Sequence, residues 1–131
     1  MKSYLIDTHI LLWHSAGSGK LSGETLEKLN SPETRLLVST ATYWEMTIKK
    51  SLGKLDLAVP ISDFYYSAVR NSFYTIPIDF KHFQTLENLP LLHADPFDRL
   101  IISQAISEDL TIITQDQKFK LYEQWVSIFL N

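Results

Sequence analysis

The sequence predicts an α/β protein with a mainly parallel central sheet covered on both faces, a three-layer α/β/α arrangement. Two observations carry this expectation. Short β-prone runs and longer helix-patterned stretches alternate from end to end, which implies right-handed crossovers between parallel strands. The chain has 131 residues, 45% of them hydrophobic and 21% charged, enough to bury one substantial core, so a single domain over 1–131 is expected.

The elements follow in order. "SYLI" (3–6) is a β-prone run that stops at Asp7, and "THILLWHSA" (8–16) continues with helical spacing at Ile10, Leu11 and His14. "GSGKLSG" (17–23) is a loop, and "SGETLEKLN" (22–30) a helix capped by Ser22. "LLVS" (36–39) reads as a buried strand, and "TATYWEMTIKKSLG" (40–53) as a helix with Gly53 suited to the position after its C-cap. A helix over 62–72, a strand "FYTIPI" (73–78) and a short helix over 80–89 capped by Asp79 come next. A helix over 96–108 leads to the strand "LTIIT" (110–114), and "VSIFL" (126–130) is the last strand.

Composition excludes several classes. Without cysteine there is neither a disulfide framework nor a thiolate metal site. His9, His14, His82 and His93 show no zinc-type spacing. "MKSYLID" meets an aspartate too soon for a signal peptide, and no apolar run approaches the roughly 18 residues of a membrane span. A cytoplasmic protein that does not engage the membrane is expected. With a net charge of −3, a generic basic nucleic-acid coat is disfavoured, and any such contact must rest on a local site.

In parallel sheets, ligands bind beyond the carboxyl ends of the strands. Four carboxylates from distant parts of the chain are placed to meet there. Asp7 follows the first strand, Glu45 lies a turn and a half into the helix after "LLVS", Asp98 opens the helix over 96–108, and Asp116 follows "LTIIT". Each also has an ordinary structural reading. Asp7 suits the N-cap of the helix starting at Thr8. Glu45 is spaced for an i,i+4 ion pair with Lys49, although it lies beside an apolar stripe of Ala41, Trp44, Ile48 and Leu52. Asp116 suits a turn. Asp95 fits an N-cap before Pro96 at N1, which explains Asp95 fully and Asp98 only in part.

Taken together the four acids point to a cation. Converging carboxylates raise one another's pKa and destabilise the fold unless a cation neutralises them. Mg²⁺, a hard ion that takes oxygen ligands, meets that need, and such ions promote phosphodiester displacement.

The blocks "YLIDTHILLW", "VSTATYWEMTIKKSLGKLDL" and "HADPFDRLIISQAISEDLTIITQDQKF" resemble the PIN-domain ribonucleases, and more narrowly the toxin subunits of VapBC-type toxin–antitoxin systems. The resemblance spans essentially the whole chain. It implies a PIN-like α/β/α fold and an endoribonuclease that hydrolyses RNA with metal-activated water, Mg²⁺ or Mn²⁺ being the cofactor. Carried over by position, the site acids are Asp7, Glu45, Asp98 and Asp116, as metal and catalytic residues, with Asp116 at a position that varies among relatives. The resemblance further implies a small antitoxin that occludes the site, and a homodimer.

Basic residues near these acids, Lys49, Arg99 and Lys118, are candidate contacts to RNA phosphates, with a solvated surface or, for Arg99, a carboxylate pair as the plain reading. Lys50, Lys54 and Lys120 belong to the same basic groups. Thr8 and Thr114 flank site acids and orient ligands or cap and turn, and His93 is a substrate contact or a structural loop residue. Trp13, Trp44 and Tyr43 read as core or dimer contacts. "GSGK" (17–20) is not a phosphate loop, since the motif requires glycine at 14 and Ser or Thr at 21, where His14 and Leu21 stand. A signalling receiver domain would require an acidic neighbour of Asp7 and a lysine after a late strand, and a haloacid-type phosphatase a second Asp where His9 stands. A PIN fold that only binds RNA or protein would not need all four acids.

Overall fold

Period-two alternation along β1 (Lys2–Ile6) sets the architecture. Tyr4 and Ile6 point into one apolar cluster and Leu5 into another on the opposite side of the sheet. The same division holds in β2 (Thr34–Ser39), with Leu36 and Val38 against Leu37, and in β4 (Thr111–Thr114), with Ile113 against Ile112. The computed structural model describes residues 1–131 and contains one parallel sheet in the order β3-β2-β1-β4-β5, with β3 spanning Phe73–Ile76 and β5 Ile128–Leu130.

The helices α1 (Thr8–Ser15), α2 (Gly23–Asn30), α3 (Thr40–Ser51) and α4 (Ile61–Arg70) contribute Ile10, Leu11, Leu29, Met46, Phe64 and Ala68 to the first cluster. Opposite them, α6 (Pro96–Glu108) and a 3-10 helix (Gln117–Tyr122) contribute Ile101, Ile102, Ala105, Phe119 and Tyr122 to the second, with Leu86 of α5 (Phe80–Glu87) packed against it. This is the three-layer α/β/α arrangement expected, and the six α-helices occupy the predicted order. No helix is long and apolar enough to cross a membrane.

Local chemistry explains the element ends. At α3 the Gly53 amide donates to the Lys50 carbonyl and the Lys54 amide to the Lys49 carbonyl, with Gly53 at φ 71°. Those two bonds close the helix in a Schellman motif, which needs the left-handed conformation glycine adopts freely. Ser39 and Ser22 cap α3 and α2 through their hydroxyls. Helix α4 stops two residues earlier than predicted, because Ser72 turns to φ 69°. Strand β3 stops at Ile76, before Pro77, which has no N–H for the ladder. The 3-10 helix was not predicted. It makes about two tight turns started by Asp116, whose Oδ1 accepts from the Lys118 amide at 3.0 Å.

The buried face of α3 corrects the expected stripe. Ala41, Thr42, Glu45 and Met46 face inward, whereas Trp44 is 56% exposed and Leu52 is exposed. The trio Trp44, Ile48 and Leu52 has helical periodicity, but the inward face of this helix carries polar groups that pair with α1. Trp44 instead packs edge-on against Phe97, at a ring distance of 5.0 Å. Trp13 and Tyr43 are partly buried against the first cluster.

Helix α6 begins as its sequence indicates. Asp95 Oδ1 accepts from the Asp98 amide at 2.9 Å, and Pro96 occupies the first turn. Asp95→Ala should therefore lower stability by about 0.5–2 kcal/mol, while Asp95→Ser should retain most of it. Denaturant melts of the two variants check this, and equal losses in both would show that the cap contributes nothing.

Candidate active site

The strand order reverses between β1 and β4. From β1 the chain moves through β2 to β3, with its helices on one face, then crosses to β4 with α5 and α6 on the other. The crevice at such a switch point lies beyond the carboxyl ends of the two diverging strands. Asp7 follows β1 and Thr114 ends β4. The strands are paired there, with Ile6 opposite Ile113 and the Asp7 amide bonded to the Ile113 carbonyl at 3.0 Å.

Asp7 is 3% exposed. It stands at the N-cap position of α1, yet its side chain makes no capping bond. Its Oδ2 accepts from the Thr114 hydroxyl at 2.6 Å instead. The Thr114 oxygen in turn accepts from the Asp116 amide at 3.0 Å. One threonine thus ties the acid after β1 to the acid after β4. Burial holds the Asp7 carboxyl above its usual pKa, the Thr114 bond and the His9 charge oppose this, and the Glu45 charge adds to it.

Glu45 is held on both oxygens. Thr8 donates to Oε1 at 2.9 Å, with the Thr42 hydroxyl 3.5 Å from that of Thr8, and Lys49 Nζ lies 2.8 Å from Oε2. The i,i+4 pair read from spacing therefore exists, but inside a buried polar group rather than on a solvated helix face. The Glu45 hydrogen bond raises the Lys49 pKa most, and Asp95 and Asp98 add to the effect. Lys49 thus faces the acids of α6 as well as its own.

Asp98 lies in the first turn of α6, where the helix N-terminus favours negative charge. Its Oδ2 is 2.7 Å from His93 Nε2. The ligand atoms of His93, Asp98 and Asp116 all lie within 4.8 Å of one another. Burial pushes the Asp98 carboxyl up to about 7, the His93 hydrogen bond lowers it, and the charges of Asp7 and Asp95 raise it further. His93, Asp98 and Asp116 therefore converge at the switch point, with Asp7 tied to the Asp116 turn through Thr114, while Glu45 has both oxygens engaged.

The donor set suits a hard divalent cation. It is rich in carboxylate oxygen, partly buried and mutually repulsive, so a bound cation would relieve the desolvation and repulsion that raise these pKa values. His93, Asp98 and Asp116 are close enough together to share it, and Asp7 stands beside them through its bond to Thr114.

Several side chains around the site differ from expectation. Arg99 forms no carboxylate pair. Its Nη1 donates to the Pro90 carbonyl at 2.9 Å and the Tyr122 hydroxyl at 3.0 Å, and its Nη2 to the Leu89 carbonyl at 3.1 Å. Those donors serve the backbone before α6 rather than a phosphate. Lys50 is bonded to the Val59 carbonyl at 2.6 Å. Lys118 places its amide, not its side chain, on Asp116. Thr42 and Tyr122 gained their places only in three dimensions, and His93, read from the sequence as a substrate contact or loop residue, is placed on Asp98. The one sequence signal was that His93 and Asp98 belong to the same short "HADPFD" block.

A pH dependence follows from Asp98. A carboxyl whose folded pKa exceeds its unfolded value near 3.8 contributes stability while protonated. Below the unfolded value that contribution is complete, and it is lost as pH rises toward about 7. In chelator, Asp98→Asn should therefore gain stability relative to the parent chain as pH rises through that window. Paired thermal melts across it test the expectation. A difference that stays flat or shrinks would show that Asp98 is not the strained group.

Known proteins share this fold. Ribonuclease VapC22 of Mycobacterium tuberculosis is 25% identical over 121 residues, covering 92% of each chain. The structure of VapBC2 from Rickettsia felis, bound to a DNA fragment from its promoter, superposes with a TM-score of 0.74 at 18% identity over 98% of each chain. That of VapBC-1 from nontypeable Haemophilus influenzae gives 0.67 at 17% identity, over 98% of this chain and 97% of the other. A family model described as the PIN domain matches residues 4–124. With acids gathered where β1 and β4 diverge and nearly the whole chain matched, this protein belongs to the PIN-domain family.

Proposed function

We propose that the protein is a metal-dependent endoribonuclease, the toxin of a type II toxin–antitoxin system acting in the cytoplasm, with Mg²⁺ or Mn²⁺ as its cofactor. The observation that carries this reading is the approach of Asp98 and Asp116 to one another at the switch point of a PIN fold, with Asp7 bridged to Asp116 by Thr114. Its likeness to Ribonuclease VapC22 and to the VapBC structures supports the toxin assignment.

In this reading Asp7, Asp98 and Asp116 hold the ion and Glu45 completes the acidic site. A divalent ion there supplies Lewis-acid charge to the phosphodiester and activates the attacking water. The chain's residues do the positioning. Thr114 fixes Asp7 and the turn carrying Asp116 against each other. Thr8 and Lys49 hold both oxygens of Glu45. Lys49, 43% exposed along its side chain, offers a cation beside the acids where an RNA phosphate would approach. Lys118, exposed after Asp116, is a second such cation. The negative net charge is then compatible with a polyanionic substrate, because the attraction is local.

Partners in this reading are RNA, a small cognate antitoxin and a second copy of the chain. Exposed apolar side chains support protein docking near the site. Leu91 and Leu92 adjoin His93, and Trp44 packs on Phe97, next to Asp98.

Purified protein incubated with total cellular RNA should cut it with Mg²⁺ or Mn²⁺ and stop cutting in excess chelator. Undiminished cleavage in chelator would eliminate the mechanism. Asp7→Asn preserves the shape of the side chain and its capacity to accept from Thr114, so the variant should fold. Its cleavage rate should nevertheless drop by on the order of 10²-fold or more, because the ion and substrate lose their positioning. Wild-type turnover in that variant would reduce Asp7 to a structural residue.

A further inference from the structure

The segment between α5 and α6 has no regular secondary structure, yet its backbone is tightly held. The hydroxyl of Tyr122, a fully buried residue, accepts from the Leu92 amide at 2.9 Å, the His93 amide at 3.1 Å and Arg99 Nη1 at 3.0 Å. It donates to the Pro90 carbonyl at 2.7 Å. Arg99 also grips the Leu89 and Pro90 carbonyls. Two side chains from α6 and the 3-10 helix thus satisfy four backbone groups of one irregular stretch, groups that would be costly to leave unpaired. The residue at the end of this clamp is His93.

The clamp delivers an imidazole to the acids. His93 Nε2 lies 2.7 Å from Asp98 Oδ2, and both are within 4.8 Å of an Asp116 oxygen. Two donors at right angles around an ion, each about 2.1 Å from it, are separated by about 3 Å. The 2.7 Å contact between His93 and Asp98 is a hydrogen bond, and with its proton displaced the two atoms would stand near the separation of neighbouring ligands on one ion.

We propose that His93 Nε2 is the nitrogen donor of this metal centre, and that the Tyr122–Arg99 clamp is the device that positions it. The inference rests on the reading of the acids as a divalent-ion site and adds to it a ligand of different chemistry. An imidazole in an otherwise oxygen set tilts the site away from Mg²⁺ and toward first-row transition ions, of which Mn²⁺ serves as the spectroscopic probe. Arg99 and Tyr122 are then positioning residues that act through His93.

The test uses the full chain and Mn²⁺ alone, read by pulsed electron paramagnetic resonance for coupling between bound Mn²⁺ and a ¹⁴N nucleus. The parent protein should show imidazole coupling. His93→Gln should still bind Mn²⁺ through its carboxylates, with affinity lower by on the order of 10-fold, and should show no nitrogen coupling. Tyr122→Phe keeps the ring and removes the hydroxyl, so its Mn²⁺ should retain only weakened nitrogen coupling. Mn²⁺ bound without nitrogen coupling in the parent protein, alongside metal-dependent RNA cleavage, would overturn the role of His93 and leave the nuclease reading standing. Coupling that persists in His93→Gln would assign the nitrogen elsewhere and overturn it equally. A parent protein that neither binds Mn²⁺ nor cuts RNA would overturn both. Unchanged coupling in Tyr122→Phe would remove the clamp from the proposal, and if that variant fails to fold, the parent and His93→Gln spectra still decide the ligand.

Discussion

Carboxylates held close together and away from water repel one another, and the architecture of this protein turns on keeping them there. The pairing of β1 with β4 at the centre of the sheet is what makes this tolerable. Both strands are covered on their two faces by apolar clusters, so their register is firmly set. That register brings Asp7 opposite Thr114, and the hydroxyl satisfies a carboxylate that would otherwise be buried with one fewer partner. The same oxygen receives the Asp116 amide and so fixes the turn after β4. One short polar bridge therefore depends on the whole sheet and in turn orders two acids far apart in sequence.

The surrounding helices moderate the repulsion without removing it. Helix α6 presents its N-terminus to Asp98, and Asp95 takes the capping bond, which leaves the Asp98 side chain free to face the cluster. Helix α3 supplies Lys49 as a counter-charge on Glu45 and on the acids of α6. The Schellman closure at Gly53 ends the helix just beyond Lys49, holding the last turn that bears it. The raised pKa values of Asp7 and Asp98 show that these devices compensate only in part. A site left with such residual strain is a physical rationale for cation binding rather than for stability.

Arg99 illustrates how a charged residue beside an active site can be architectural. A bare sequence places a cation next to Asp98, which invites a phosphate contact. In three dimensions its planar fork matches backbone carbonyls of the preceding loop, and the phenol of Tyr122 completes the arrangement. The exposed cations near the acids are Lys49, a turn after Glu45 on α3, and Lys118, after Asp116.

The sequence by itself determined the layered α/β class, the order of the strands and helices, and the position of Asp95 as a cap. These depend on local periodicity and on short-range hydrogen bonds, which neighbouring residues specify. It also marked Asp7, Asp98 and Asp116, which follow a strand or open a helix where such folds carry their chemistry, and Glu45, inside the helix that follows the second strand. Tertiary structure decided the rest. Only the β1–β4 register could free Asp7 from its cap by offering Thr114, more than a hundred residues away. Only the packing of α3 on α1 could turn its polar side inward and leave Trp44 outside, against the apolar periodicity of the helix. Only a buried tyrosine near the C-terminus could hold an irregular loop so that His93 meets Asp98. These contacts join residues distant in the chain, and no local preference encodes which of several polar partners a buried group will find.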